Sequence, residues 1–125
     1  MEPGLESTIE DTVTERMTAA ALGSGDVPVL GTPAVLSLAE RAACAAIDSR
    51  LRPDETSVGS WVELSHLAPT PVGSSVTARA RLTEVTGRTL AFEFTVSDRS
   101  GEVARGSHRR VIVSRRDFVE TAERR

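Results

Sequence analysis

The stretch Gly31-Thr32-Pro33-Ala34-Val35-Leu36-Ser37-Leu38-Ala39-Glu40-Arg41-Ala42-Ala43-Cys44-Ala45-Ala46-Ile47-Asp48-Ser49 carries the argument for the fold. Thr is a good N-cap, and Pro suits the first helical position, where its missing N–H would be unpaired anyway. The spacing predicts a helix from Pro33 to about Ser49, ended before Pro53. At roughly 100° per residue, Val35, Leu38, Ala39, Ala42, Ala43 and Ala46 make one broad apolar face. Ser37, Arg41, Cys44 and Asp48 make the opposite polar face. The alanines at the centre of the apolar face let this helix approach whatever it packs on.

Outward from that helix the period changes from 3.6 to 2. On the C-terminal side, after Arg52-Pro53-Asp54-Glu55, Val58, Val62, Leu64 and His66 are expected on one side of a strand, with Trp61, Glu63 and Ser65 on the other. Ala68-Pro69-Thr70-Pro71-Val72-Gly73 is a loop. Val76, Ala78, Ala80 and Leu82 then alternate with Thr77, Arg79, Arg81 and Thr83. Beyond the turn Thr86-Gly87-Arg88, Leu90, Phe92, Phe94 and Val96 continue the inward set. Asp98-Arg99-Ser100-Gly101 turns the chain into a last long strand, Val103–Val113, and Asp117–Arg125 reads as a short terminal helix. On the N-terminal side, Glu6 to Arg16 reads as a strand, followed by Ala19–Leu22 as a helical turn that dissolves into the glycines at Gly23 and Gly25. One strand, one long helix and four strands joined mainly by tight turns imply an antiparallel sheet with a helix across it. A curved antiparallel sheet wrapped around one helix is the α+β hotdog fold, formed as a single domain over residues 1–125.

Composition narrows the chemistry. The chain has 125 residues, 26% of them charged, and a formal net charge of −3. All 15 basic residues are Arg, and there is no Lys, Tyr, Asn or Gln, with one Cys and 2 His. Without Lys, Schiff-base chemistry and a phosphate-loop lysine are excluded. One Cys and two His build neither a structural zinc site nor a disulfide framework. The acidic balance and few aromatics argue against a nucleic-acid binder. No apolar run reaches membrane-span length and the acidic start is unlike a signal peptide, so a cytoplasmic protein is expected.

Three residues could carry chemistry. His66, at a strand end on the helix-facing side, is either a buried hydrogen-bonded histidine or a base titrating near neutrality. Glu40, at the border of the helix's apolar face, is either a solvated carboxylate or, facing a cleft, an acid/base or nucleophilic group. Thr32 is fully explained as an N-cap, yet a helix N-terminus is also a place to stabilise developing negative charge. At 1.5 Å per residue Thr32 and Glu40 lie ~12 Å apart along the helix, too far to bond directly but able to contact one substrate from two sides. Cys44 is incidental. His108 is expected on an exposed strand position, and Arg109, Arg110, Arg115 and Arg116 form a solvated basic cluster. Trp61 is read as a packing or subunit-contact residue.

Gly23-Ser24-Gly25-Asp26-Val27-Pro28-Val29-Leu30-Gly31-Thr32-Pro33-Ala34, Glu40, Val58-Gly59 and His66-Leu67-Ala68-Pro69-Thr70-Pro71-Val72-Gly73 together resemble the hotdog acyl-CoA thioesterases related to fluoroacetyl-CoA thioesterase. The resemblance runs from about Glu6 to Phe118. It implies a catalytic set at Thr32, Glu40 and His66, a thioester-facing glycine at Gly59, acyl-CoA substrates, and a homodimer with sites at the subunit interface. Gly31 and Pro33, flanking Thr32, join Gly59 as expected substrate contacts. No cofactor is expected, coenzyme A being part of the substrate. In fluoroacetyl-CoA thioesterase an aromatic lid covers the site and helps recognise the fluorinated acyl group, whereas Ala19 to Val29, where such a lid would fall, has no Phe, Tyr or Trp. The expected activity is therefore hydrolysis of a short or medium acyl-CoA, with fluoroacetyl selectivity counted against. The alternatives are a non-catalytic acyl-CoA binding or sensing module and, more remotely, a hotdog dehydratase, whose paired Asp/His signature is not evident.

Overall fold

In the computed structural model, which describes residues 1–125, the chain runs β1 (Glu6–Thr12), a 3-10 turn (Glu15–Met17), α1 (Ala19–Leu22), α2 (Thr32–Ile47), a second 3-10 turn (Asp48–Arg50), β2 (Glu55–His66), β3 (Ser75–Thr86), β4 (Thr89–Asp98), β5 (Gly101–Ser114) and α3 (Arg115–Glu123). The five strands form one sheet in the order β1-β3-β4-β5-β2, and every pairing is antiparallel. This is the hotdog arrangement. No helix is long and apolar enough to cross a membrane.

The expected inward sets pack as read. Val35, Leu38, Ala39, Ala42, Ala43 and Ala46 of α2 are buried, with Val76, Ala78, Ala80 and Leu82 of β3 and Leu90, Phe92, Phe94 and Val96 of β4. Alanine therefore meets alanine where the helix crosses β3, which brings the two backbones close. α2 packs mainly on β1 and β3 and only lightly on β4 and β2. The β5–β2 end of the sheet is left thinly covered, and polar side chains occupy it.

Several boundaries differ from expectation; the terminal helix, for one, begins at Arg115 behind the N-cap Ser114 and not at Asp117, and the last strand runs from Gly101 to Ser114. α2 starts at Thr32 with Gly31 as N-cap, and no side chain caps it. It gives way at Ile47 to the turn Asp48–Arg50. β1 ends at Thr12, because Thr14 to Met17 closes a 3-10 turn through the bond from Met17 N–H to Thr14 carbonyl.

The larger difference is in β2. A bulge falls between Gly59 and Trp61, since Gly59 pairs with Arg110 and Trp61 with Arg109. The extra residue reverses the alternation. Ser57 and Gly59 face the helix before it, and Val62, Leu64 and His66 after it, opposite Arg110, His108, Gly106 and Ala104. Val58, placed inward by simple alternation, lies on the other face.

α1 and the following loop are tied down, not free. Thr18 Oγ1 accepts from Ala21 N–H at 3.1 Å, and Gly23 ends the turn at φ 74°, a conformation natural to glycine. Ala19 and Ala20 N–H donate to the carbonyls of Val29 and Val27. The segment from Ala19 to Val29 is a pinned flap of small and aliphatic residues.

Candidate active site

Two polar groups lie along α2, one at its N-terminus and one two turns on. At the first, Thr32 Oγ1 and His66 Nδ1 are 2.9 Å apart. The threonine hydroxyl is thus diverted from capping to the histidine at the end of β2, the geometry a base needs to orient or deprotonate a hydroxyl. His66 Nε2 is buried without any partner in the chain. A ring nitrogen so placed is costly unless something else bonds it.

At the second, Glu40 meets a network carried by β2 and β5. Arg110 donates from Nη1 to Glu40 Oε2 at 3.0 Å, from Nε to Ser57 Oγ at 2.8 Å and from Nη2 to the Ser57 carbonyl at 3.0 Å. Nη1 also lies 3.1 Å from His108 Nε2, while His108 Nδ1 is 2.8 Å from the Trp61 carbonyl. Every contact of Glu40 in this network is made through Oε2. A Cβ on Gly59 would stand 2.7 Å from that oxygen, so only glycine allows the carboxylate this close to β2. Leu36, Glu40, Gly59, Ser60, Trp61, Val62 and His108 line a cavity of about 390 Å³. A larger hollow of about 490 Å³ lies elsewhere, on the outer face of the sheet among Arg79, Arg81, Glu93 and Arg105. Its charged side chains are solvated and it holds none of these groups.

His108 and Arg110 are not the exposed and solvated residues expected from the run His108-Arg109-Arg110. They are 3% and 6% exposed. The signal was present in the hairpin register. Val96 pairs with Ala104, Phe94 with Gly106, Phe92 with His108 and Leu90 with Arg110, so the inward parity of β4 carries over to β5. Arg109, between them, faces out and stacks its guanidinium 4.7 Å from the centre of the Trp61 ring. The expected contacts Gly31 and Pro33 lie away from this cavity. Gly31 N–H is bonded to the Met17 carbonyl, and a Cβ there would meet the Ala19 backbone nitrogen at 2.9 Å, so this glycine serves the seating of α1. Pro33 is exposed and lines a separate groove with Arg16 and Leu22. No three His, Cys, Asp or Glu side chains gather closely enough to hold a metal ion.

Burial holds His108 below the ordinary histidine value of 6.5; the neighbouring Arg110 acts in the same direction, against the Trp61 carbonyl and Glu40. The folded protein keeps this ring neutral where the unfolded chain would take up a proton. Between the two values the unfolded state binds more protons, so stability is present above about pH 6.5 and declines as pH falls toward the folded value. The thermal midpoint is expected to fall between about pH 7.5 and about pH 5.5, and less steeply in His108→Gln. Asp11, lowered chiefly by its bond from Arg41, and Glu55, lowered by the Arg52 backbone N–H and then Arg88, lose their contribution only in the more acidic carboxylate range.

The chain has known relatives. The family described as FlK, fluoroacetyl-CoA-specific thioesterase, matches residues 13–116. The chain belongs to the FlK family. Fluoroacetyl-CoA thioesterase of Streptantibioticus cattleyicolor is 33% identical over 90 residues, which is 72% of this chain and 65% of that relative's length. A solved structure of the FlK thioesterase superposes with a TM-score of 0.94 at 27% identity, covering 100% of this chain and 97% of that one. A mutant FlK solved with fluoroacetate and CoA gives 0.89 at 29% identity, over 94% and 99% of the two chains. A thioesterase superfamily member from Thermus thermophilus gives 0.90 at 27% identity, over 98% and 91%. Within the FlK family, this chain's flap from Ala19 to Val29 is without an aromatic residue.

Proposed function

We propose that the protein hydrolyses a short or medium acyl-CoA to the free acid and CoA, with Glu40, Thr32 and His66 as its catalytic residues. The observation that carries the reading is the anchored carboxylate: Arg110 holds Glu40 by Oε2 beside Gly59, at the wall of a cavity. Oε1 is left to act at the thioester carbonyl, as a base toward water or as a nucleophile. On the base route Glu40 takes a proton from water as its oxygen bonds to the acyl carbon. The C–S bond breaks, and the proton returns to the CoA thiolate. Thr32 donates its hydroxyl proton to His66 Nδ1, which leaves Nε2–H to face the substrate. Gly59 and the N-terminus of α2 stabilise the oxyanion. The flap of small and aliphatic residues supports an acyl group other than fluoroacetyl. No cofactor takes part, and the enzyme acts in the cytoplasm.

The same reading makes the protein a homodimer with its sites at the interface. β2 pairs with β5 on one side only, and an unpaired edge of this length is a template for another strand. Pairing of two copies through β2 would lie directly beside Gly59, Trp61 and His66. The unpartnered His66 Nε2 supports a site completed by more than one chain alone.

The test is release of free thiol from a panel of acyl-CoA esters, together with the mass in solution. Turnover well above the blank, strongest for non-fluorinated short or medium chains, is expected from a species of twice the chain mass. Saturable binding without thiol release would replace this reading with an acyl-CoA binding module. Single turnover in ¹⁸O-water tests the nucleophilic role of Glu40: water attacking the Glu40 carboxyl carbon of an acyl-enzyme anhydride leaves its label on the protein, whereas the base route puts the label in the acid alone.

A further inference from the structure

We propose that His108 is the positioning residue for Glu40: it accepts the second Nη1 proton of Arg110 and so keeps the guanidinium aimed at the carboxylate. The inference rests on the thioesterase reading for its kinetic consequence, but not for its geometry.

The tautomer follows from the partners. The Trp61 carbonyl can only accept, so the proton on the His108 ring is at Nδ1. The lone pair is then on Nε2, which faces Arg110 Nη1 at 3.1 Å. Nη1 has two protons, and the other goes to Glu40. His108 does not reach Glu40 itself: Nε2 and Oε2 are 3.9 Å apart, and both are acceptors. Its influence on the carboxylate therefore passes through the arginine. Ser57 fixes the rest of the guanidinium through Nε and Nη2, so His108 governs the one nitrogen that touches the carboxylate.

The β2 bulge links these parts. It sits between Gly59 and Trp61, and so the irregularity beside the glycine nearest Glu40 also bears the carbonyl that sets the His108 tautomer. Phe92, with its ring centroid 6.2 Å from that of His108, packs against the ring. With the proton on Nε2 instead, donor would face donor and Nη1 would turn away.

Three variants separate an acceptor role from mere filling of space. Glutamine can place its carbonyl oxygen near the Nε2 position; asparagine reproduces only the Nδ1–H; leucine offers neither. His108→Gln is expected to keep kcat within about threefold of the parent, whereas His108→Asn and His108→Leu lose roughly 10- to 100-fold in kcat with KM nearly unchanged. Equal kcat in all three, a loss confined to KM, or a glutamine variant as slow as leucine overturns the proposal. Melting curves identify a variant that fails to fold, and the glutamine–asparagine pair decides if leucine does. Nitrogen-15 NMR of the His108 ring in the parent protein gives an arm independent of turnover. Protonated Nδ1 with an accepting Nε2 is expected, and the opposite tautomer sinks the proposal even in an active enzyme. If the parent releases no thiol, the thioesterase reading fails while the NMR result still decides the positioning geometry.

Discussion

Replacing Glu40 by Gln is expected to lower kcat for acyl-CoA hydrolysis by about a thousandfold, within the range a positioned base contributes. The change removes one proton-accepting oxygen and almost no volume. Glutamine's carbonyl oxygen can still accept from Arg110 Nη1, so the residues lining the cavity stay in place. The amide nitrogen cannot take a proton from water or attack a carbonyl carbon. Loss of the negative charge leaves buried Arg110 with only neutral partners at Ser57 and His108, a cost of about 1–3 kcal/mol. The expected signature is thus a large fall in kcat, a small change in KM and a modest fall in thermal midpoint. Steady-state kinetics with a thiol reagent and a melting curve on the same preparation measure all three. Activity within tenfold of the parent would remove Glu40 from the chemistry and leave it as a partner of Arg110 alone.

The fold was legible because its two periods are clean. The apolar positions of α2 recur at helical spacing, and the three sets Val76–Leu82, Leu90–Val96 and Val35–Ala46 point into one core. The three candidate residues were legible for a different reason. Composition left few side chains able to act, but Thr32, Glu40 and His66 each also had a plain structural explanation, and it was the resemblance of the surrounding motifs to the hotdog acyl-CoA thioesterases that joined them. What stayed hidden depends on register. An extra residue in β2 changes which side chains face the helix, and nothing in Val58-Gly59-Ser60-Trp61 marks a bulge to simple alternation. His108-Arg109-Arg110 reads as a charged surface run until β5 is registered against β4, when alternate residues prove buried. Gly31 has a role that its place beside Thr32 does not announce: a Cβ there would meet the Ala19 backbone, so the glycine lets α1 seat against the start of α2.

Arg110→Met is expected to have the largest effect on stability, about 2–4 kcal/mol, with a fall of ~10 °C in thermal midpoint. Methionine fills much of the volume but takes away every donor. Ser57 Oγ, the Ser57 carbonyl and His108 Nε2 are then left facing an apolar side chain in a buried space. Glu40, 38% exposed at its side chain, can turn toward water, which limits the electrostatic part of the loss. Lysine does not restore the site, because an ammonium cannot span Ser57 and Glu40 as the planar guanidinium fork does. The double variant Glu40→Gln/Arg110→Met separates the pair from its surroundings. If the carboxylate–guanidinium contact carried the stability, Arg110→Met would cost little once Glu40 is neutral. If the Ser57 and His108 bonds carry it, as their burial implies, most of the loss persists in the double variant. Denaturant melts of the four proteins give both numbers, and a double variant as stable as Glu40→Gln would contradict the second account.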